Sequence, residues 1–336
     1  MQLIRCHADG ESAPLIGVLD AGLVTPVREV ATMAGLLALP LSQIRRICAE
    51  AGGTGVPIAG VTALAPVDGR TDVWAAGVTY ERSKDARVQE STDSADIYDR
   101  VYTAHRPELF FKSAAWRVVG PGGAVSARAD SEVDVPEPEL AVVLNSGAEV
   151  VGYTICNDMS SRSIEGENPL YLPQAKIYLG GCAMGPWIRP AWEVTDPYAL
   201  SIEMTIRRDG TDVWDGQAST AGLRRRIPEL VQFLFREDEF PAGVVLSTGT
   251  SLVPDLPFTL RSEDEIRIRI PEIGELVNHV VRGKAALAGE EDPSPIQKMA
   301  AGQPSGVTTG FTIIEVKADQ PHPVDPAAQK PGQAKE

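Results

Sequence analysis

The sequence predicts a β-rich α+β fold: a small N-terminal α/β module ahead of a larger, mostly β domain. Three observations carry this reading. From about residue 70 to about residue 284, short apolar runs rich in β-branched residues alternate with Gly, Pro, Asn and Asp, the pattern of strands and turns. Only two long stretches, about Val27–Ala51 and Leu223–Glu237, carry apolar residues at helical spacing. The first 65 or so of the 336 residues combine strand-like runs with the first of these helical stretches.

The elements follow in order. Leu3–Ala8 and Pro14–Asp20 read as short strands. The helical stretch after them aligns Met33, Leu36, Leu37 and Leu41, is interrupted at Pro40 and stops at Gly52-Gly53. Strands are then expected at 72–78, 108–113, 140–145, 149–155, 199–206, 243–250 and 265–270, and a helix at 223–237 with Ile227, Leu230, Phe233 and Leu234 on one face. GFTIIEV, residues 310–316, is a candidate last strand. The final 19 residues hold four prolines and no aromatic and are expected to be disordered. The expected division is 1–68 as the N-terminal domain, 69–317 as the main domain and 318–336 as a tail.

Composition narrows the function. A net charge of −15 disfavours nucleic-acid and anionic-membrane binding, which need basic patches. No apolar run approaches the roughly 18 residues of a spanning helix, and Met1–Glu11 shows no basic-then-apolar leader pattern. Cys6, Cys48, Cys156 and Cys182 lie far apart without a CxxC, so neither a disulfide framework nor a cysteine zinc site is expected, and a cytoplasmic location is. The four histidines form no metal spacing, and no nucleophile-elbow or phosphate-loop motif stands in a suitable context. The five tryptophans are scattered and read as packing residues.

The sharpest feature is Val135-Pro136-Glu137-Pro138-Glu139-Leu140. It opens an apolar run that turns at Asn145-Ser146-Gly147 and returns through Glu149–Ile155, a hairpin signature. Glu137 and Glu139 are two apart and share a strand face. Asp158, just past the returning strand, falls beside them. Three carboxylates at one end of a hairpin make a hard oxygen site for Mg²⁺ or Mn²⁺, with Ca²⁺ an alternative. Around them, Glu108, Phe110 and Lys112 share a face of the run that Arg106 precedes. Lys176 comes just before Gly180-Gly181, and Thr248-Gly249-Thr250 follows an apolar strand. Asp158-Met159-Ser160-Ser161-Arg162 also reads as a helix N-cap with its first turn.

Glu137-Pro138-Glu139, Asn157-Asp158-Met159-Ser160-Ser161-Arg162, Lys176, Gly185-Pro186-Trp187 and Ser247-Thr248-Gly249-Thr250 together resemble the fumarylacetoacetate hydrolase superfamily over about residues 70–284. The resemblance implies a mixed β-roll catalytic domain behind a small N-terminal domain. It also implies a divalent metal on Glu137, Glu139 and Asp158, a small oxo-acid substrate, and a homodimer or homotetramer. Hydrolases of that family show GxNYxxHxxE before the metal motif. Here Gly77-Val78-Thr79-Tyr80 leads to Ser83 in place of the His and Ala86 in place of the Glu, so the usual water-activating pair is gone; His105 is a candidate substitute. The run Arg106–Lys112 looks instead like the sugar-acid branch, nearest to the 2-keto-3-deoxy-D-arabinonate dehydratases. In that branch a Glu upstream and a Lys downstream accompany the triad, and Glu108 and Lys176 match them. The resemblance thus implies dehydration of a 2-keto-3-deoxy-pentonate to 2-oxoglutarate semialdehyde, with hydrolysis or decarboxylation of an acylpyruvate-like acid as the alternative. Lys176 would be the base, a role that requires its neutral form, which burial and a nearby cation favour. Glu108 would be the acid, and the two roles could be exchanged. Arg106, Lys112 and Thr250 would bind substrate.

Overall fold

A computed structural model describes residues 1–81 and 100–288. The expected strand at 310–316, the tail at 318–336, and Ser83 and Ala86 lie outside the described residues. Among the described residues, eighteen strands fall in three sheets. In chain order they are β1 (Gln2–Ala8), β2 (Leu15–Asp20), β3 (Leu23–Pro26), β4 (Val56–Pro57), β5 (Val61–Ala63), β6 (Asp72–Gly77), β7 (Glu108–Ala114), β8 (Ala124–Ala127), β9 (Asp134–Val135), β10 (Pro138–Leu144), β11 (Val150–Asp158), β12 (Ser160–Ser161), β13 (Cys182–Pro190), β14 (Ser201–Arg208), β15 (Thr211–Ser219), β16 (Val244–Ser247), β17 (Glu265–Ile270) and β18 (Gly274–Arg282). The helices are α1 (Met33–Leu37), α2 (Leu41–Glu50), α3 (Arg162–Glu167), α4 (Leu172–Lys176), α5 (Ile227–Leu234) and α6 (Gly283–Leu287).

The large sheet runs β4-β3-β2-β1-β13-β11-β10-β16-β6-β7, with β5 on β1. The second runs β15-β14-β17-β18-β8, and β12-β9 is a short pair. Because β1 pairs with β13, the N-terminal strands extend the same sheet that carries β10 and β11. Strand β10 is central, and all seven of its residues are buried. Its pleat explains this, because successive side chains serve opposite faces. Leu140, Val142 and Leu144 pack toward the second sheet with Ile202, Met204, Ile266 and Leu276. Ala141 and Val143 pack on the other side with Met33, Leu36, Leu37, Ile44 and Ile47 of α1 and α2.

Both helical stretches are shorter than the apolar spacing suggests, for local reasons. The first begins only at Met33, where Thr32 Oγ1 accepts from Gly35 N at 3.0 Å; Val27 N donates to Ile16 O instead. Pro40 does divide it, standing as the cap of α2. The second begins at Ile227, with a proline in its first turn. Arg225 ahead of it is bound instead to the carbonyls of Val101 and His105. Trp116 is not a packing residue: it is 75% exposed in a 3-10 turn, with the Arg117 guanidinium 5.4 Å from its ring centroid.

Candidate active site and metal centre

The hairpin of β10 and β11 brings the acids together. Asn145 organises its turn, with Oδ1 accepting from Gly147 N at 3.1 Å and Glu149 N at 2.8 Å. The resulting register sets Pro138 opposite Asn157 and Glu139 opposite Cys156. Asp158 N donates to Glu137 O at 2.9 Å. Ligand oxygens of Glu137, Glu139 and Asp158 lie within 4.8 Å of one another, and all three residues are buried.

Like charges this close, away from water, repel strongly. The chain answers with cations on two of the three. Lys176 Nζ lies 2.7 Å from Glu137 Oε2 and 3.5 Å from Asp158 Oδ2. Arg162 Nη2 lies 3.2 Å from Glu137 Oε1, and Lys112 Nζ pairs with Asp158 Oδ1. Among the described residues Glu139 receives neutral donors alone: Ser247 Oγ at 2.5 Å and Gly249 N at 2.8 Å. Burial first, then the charge of Asp158, pushes the Glu139 carboxyl well above the usual carboxylate range. Three buried oxygen donors, one of them lacking a cation, fit a hard divalent ion in charge and in donor type.

The pocket over these acids is lined also by Gly77, Val78, Phe110, Arg162, Lys176 and Thr250. Lys176 ends α4, is 1% exposed, and donates to Ser160 Oγ at 2.5 Å. Glu108 begins β7 opposite Gly77. A Cβ on Gly77 would meet Glu108 Oε2 at 2.0 Å, so the carboxylate lies directly over that glycine at the pocket margin. Lys112, farther along β7, pairs with Asp158.

Other expected substrate ligands are placed differently. Lys112 is buried against Asp158 and two carbonyls and does not line the pocket. Thr250 lines the pocket, and its hydroxyl also ties the loop, donating toward Pro138 O at 2.9 Å and Leu252 O at 3.1 Å. Arg106 precedes β7, outside its pleat; it stacks on Phe233 at 5.5 Å and lines a separate groove. His105 likewise packs on Phe233, its ring centroid 5.6 Å away.

The structure adds residues that were not singled out. Arg162 stood inside the quoted motif, four residues after Asp158, but its capping role hid its reach; Ser161 does cap α3. Ser160 and Ser247 also lay within quoted motifs. Val78 has no sequence signal: it adopts φ +52°, a strained conformation for a β-branched residue and one that concentrates at functional sites. Its loop interlocks with Gly249. At φ +89°, a Cβ there would meet Thr79 Oγ1 at 2.1 Å and Ala76 O at 2.8 Å, while Thr79 Oγ1 donates to Thr248 O at 2.6 Å. Gly249→Ala should therefore cost about 2–4 kcal/mol of stability, measured by urea unfolding. A cost under about 0.5 kcal/mol would refute the interlock.

Known proteins match this arrangement. The family model described as fumarylacetoacetate (FAA) hydrolase C-terminal matches residues 72–281. A probable 2-keto-3-deoxyxylonate dehydratase of Haloferax volcanii is 51% identical over 201 residues, 60% of this chain and 69% of that protein. The 2-dehydro-3-deoxy-D-arabinonate dehydratase of Saccharolobus solfataricus is 48% identical over 184 residues, 55% of this chain and 62% of that protein. A solved structure of 2-keto-3-deoxy-D-arabinonate dehydratase complexed with magnesium and 2,5-dioxopentanoate superposes with a TM-score of 0.72 at 36% identity, covering 84% of this chain and 99% of that one. With its metal-type acid triad, its β-rich sheets and a match spanning more than half its length, the chain belongs to the fumarylacetoacetate hydrolase family.

Proposed function

We propose that the chain is a divalent-metal-dependent dehydratase that converts a 2-keto-3-deoxy-pentonate to 2-oxoglutarate semialdehyde and water. The observation that carries this reading is the buried Lys176 Nζ, lodged between Glu137 and Asp158 of the three buried acids, a proton-transfer group beside a hard-cation site. Two relatives named as pentonate dehydratases, and a neighbour holding magnesium and 2,5-dioxopentanoate, support it.

Glu137, Glu139 and Asp158 would hold Mg²⁺, or Mn²⁺ or Ca²⁺ in its place. A divalent ion there supplies Lewis-acid polarisation of a chelated 2-oxo acid. Lys176 Nζ, in its neutral form, would take the proton from C3, its position fixed by Ser160 and Glu137. Glu108, over Gly77, would deliver a proton to the C4 hydroxyl as the C4–O bond breaks, directly or through one water. Loss of a C5 proton and return of a proton to C3 then moves the double bond to C4–C5, and the resulting enol becomes the C5 aldehyde as its hydroxyl proton is exchanged for one on C4. Arg162 lines the pocket beside Glu137, and its guanidinium would face the substrate carboxylate, a bidentate task suited to that group.

We also read the chain as a cytoplasmic homodimer or homotetramer, with residues 1–68 and 69–317 as its two domains and 318–336 as a tail. Trp116 and Leu170, 75% and 84% exposed, support an assembly face. Four unpaired thiols support a reducing compartment. No helix among the described residues is long and apolar enough to cross a membrane.

The test is an assay of metal-stripped and Mg²⁺-loaded protein on 2-keto-3-deoxy-D-arabinonate, with the semialdehyde read through a coupled dehydrogenase. Mg²⁺-dependent product is expected. No product, together with turnover of acylpyruvates, would replace this reading with the hydrolase or decarboxylase one.

A further inference from the structure

We infer that Lys112 is a positioning residue that locks Asp158 to the end of the helix bearing Lys176. The inference rests on the metal-site reading above.

Strand β7 is irregular where Lys112 lies. Val73 pairs with Ser113 and Trp74 with Phe111, so Lys112 has no partner on β6. It is the extra residue of a bulge, a device that re-aims a side chain. The bulge sends Lys112 inward, where it is 1% exposed. An ammonium has three N–H groups, and each meets an acceptor of the protein. One goes to Met159 O at 3.0 Å, one to Lys176 O at 2.5 Å, and one faces Asp158 Oδ1. The Tyr178 ring, 5.9 Å from Nζ, packs beside it.

These acceptors come from three places: a metal-type carboxylate, the chain just after β11, and the last residue of α4. One charged group therefore fixes the orientation of Asp158 and the placement of the backbone that carries Lys176. It also has no N–H left for a substrate. A group that orients a ligand in this way commonly controls metal affinity or activity by about 10–100-fold.

The test is Mn²⁺ binding to the full chain, followed by the electron paramagnetic resonance signal of free Mn²⁺ without substrate. Lys112→Met should bind Mn²⁺ about 10–100-fold more weakly than wild type. Once Mn²⁺-saturated, it should bind an unreactive 2-oxo acid such as 2-oxoglutarate within about 3-fold of wild type, since a positioning group acts through the ligand it orients. Unchanged Mn²⁺ affinity with lost 2-oxo-acid affinity would make Lys112 a substrate ligand and overturn the inference. Failure of wild type itself to bind Mn²⁺ would overturn the metal reading beneath it, and is told apart by that control.

Thermal melting of the metal-free proteins compares Lys112→Met with Lys112→Met/Asp158→Asn. The double variant should melt higher, because it removes the buried charge that the single variant leaves with Lys176 at 3.5 Å and without its Lys112 partner. A double variant that melts no higher than the single one would show that the Lys112–Asp158 link does not operate.

Discussion

Lys176→Met should lower kcat on 2-keto-3-deoxy-D-arabinonate by about 10²–10⁴-fold, the usual contribution of a positioned acid or base, while Mn²⁺ still binds. Methionine approximates the length of the buried stem, so packing around α4 is retained. What is lost is a proton carrier and a cation 2.7 Å from Glu137. Arg162 still faces Glu137 at 3.2 Å, and a bound divalent ion supplies the missing positive charge. The metal-free variant should therefore melt below metal-free wild type, and metal should close most of that gap. Solvent deuterium exchange at C3 separates the roles of the two candidate proton carriers. If Lys176 takes the C3 proton, Lys176→Met loses exchange, whereas Glu108→Gln still exchanges C3 but no longer expels water. Turnover of Lys176→Met within 10-fold of wild type, a loss well short of the range for a general base, would remove Lys176 from the mechanism.

The metal-type triad was legible in the sequence because it depends on local rules. A turn at Asn145–Gly147 fixes the hairpin register, and strand alternation then brings Glu137, Glu139 and Asp158 to one end. What alternation does not tell is what a side chain meets when it arrives. Lys112 was expected to bind substrate; at the bulge opposite Val73 and Trp74 it meets Met159 O, Lys176 O and Asp158 instead. Thr250 lines the pocket, and the loop also uses its hydroxyl on Pro138 O. Arg106 lies before the strand begins, where no period governs it. The join between β1 and β13 spans most of the chain and has no local signature, so the sharing of one large sheet by the N-terminal strands was not readable. Helix starts failed for a related reason: caps and competing backbone bonds, at Thr32 and at Arg225, set them rather than apolar spacing.

Glu139→Gln should make the metal-free protein more stable at pH 8 while removing its response to Mg²⁺. Glutamine keeps an oxygen for Ser247 Oγ and Gly249 N, the two donors that Glu139 holds at 2.5 and 2.8 Å. It removes the one acid of the triad without a cationic partner among those described. The sign follows from the proton balance. Because burial and Asp158 raise the Glu139 pKa in the fold, the native state holds a proton that the unfolded chain releases near pH 4.5, the ordinary glutamate value. Its stabilising contribution is complete below that pH and is lost as pH rises through the folded value. Wild type and Glu139→Gln should thus melt alike near pH 4.5 and diverge as pH rises, with the variant higher. A divalent ion reverses the order, because it needs the ionised carboxylate and binds only the fold. At 100 times its Kd it should stabilise wild type by about 2.7 kcal/mol, roughly 4 °C in Tm for 336 residues. If metal-free Glu139→Gln melts below metal-free wild type at pH 8, the Glu139 charge is compensated in a way the donor geometry does not contain, and the case for a cation site at this triad loses its electrostatic basis.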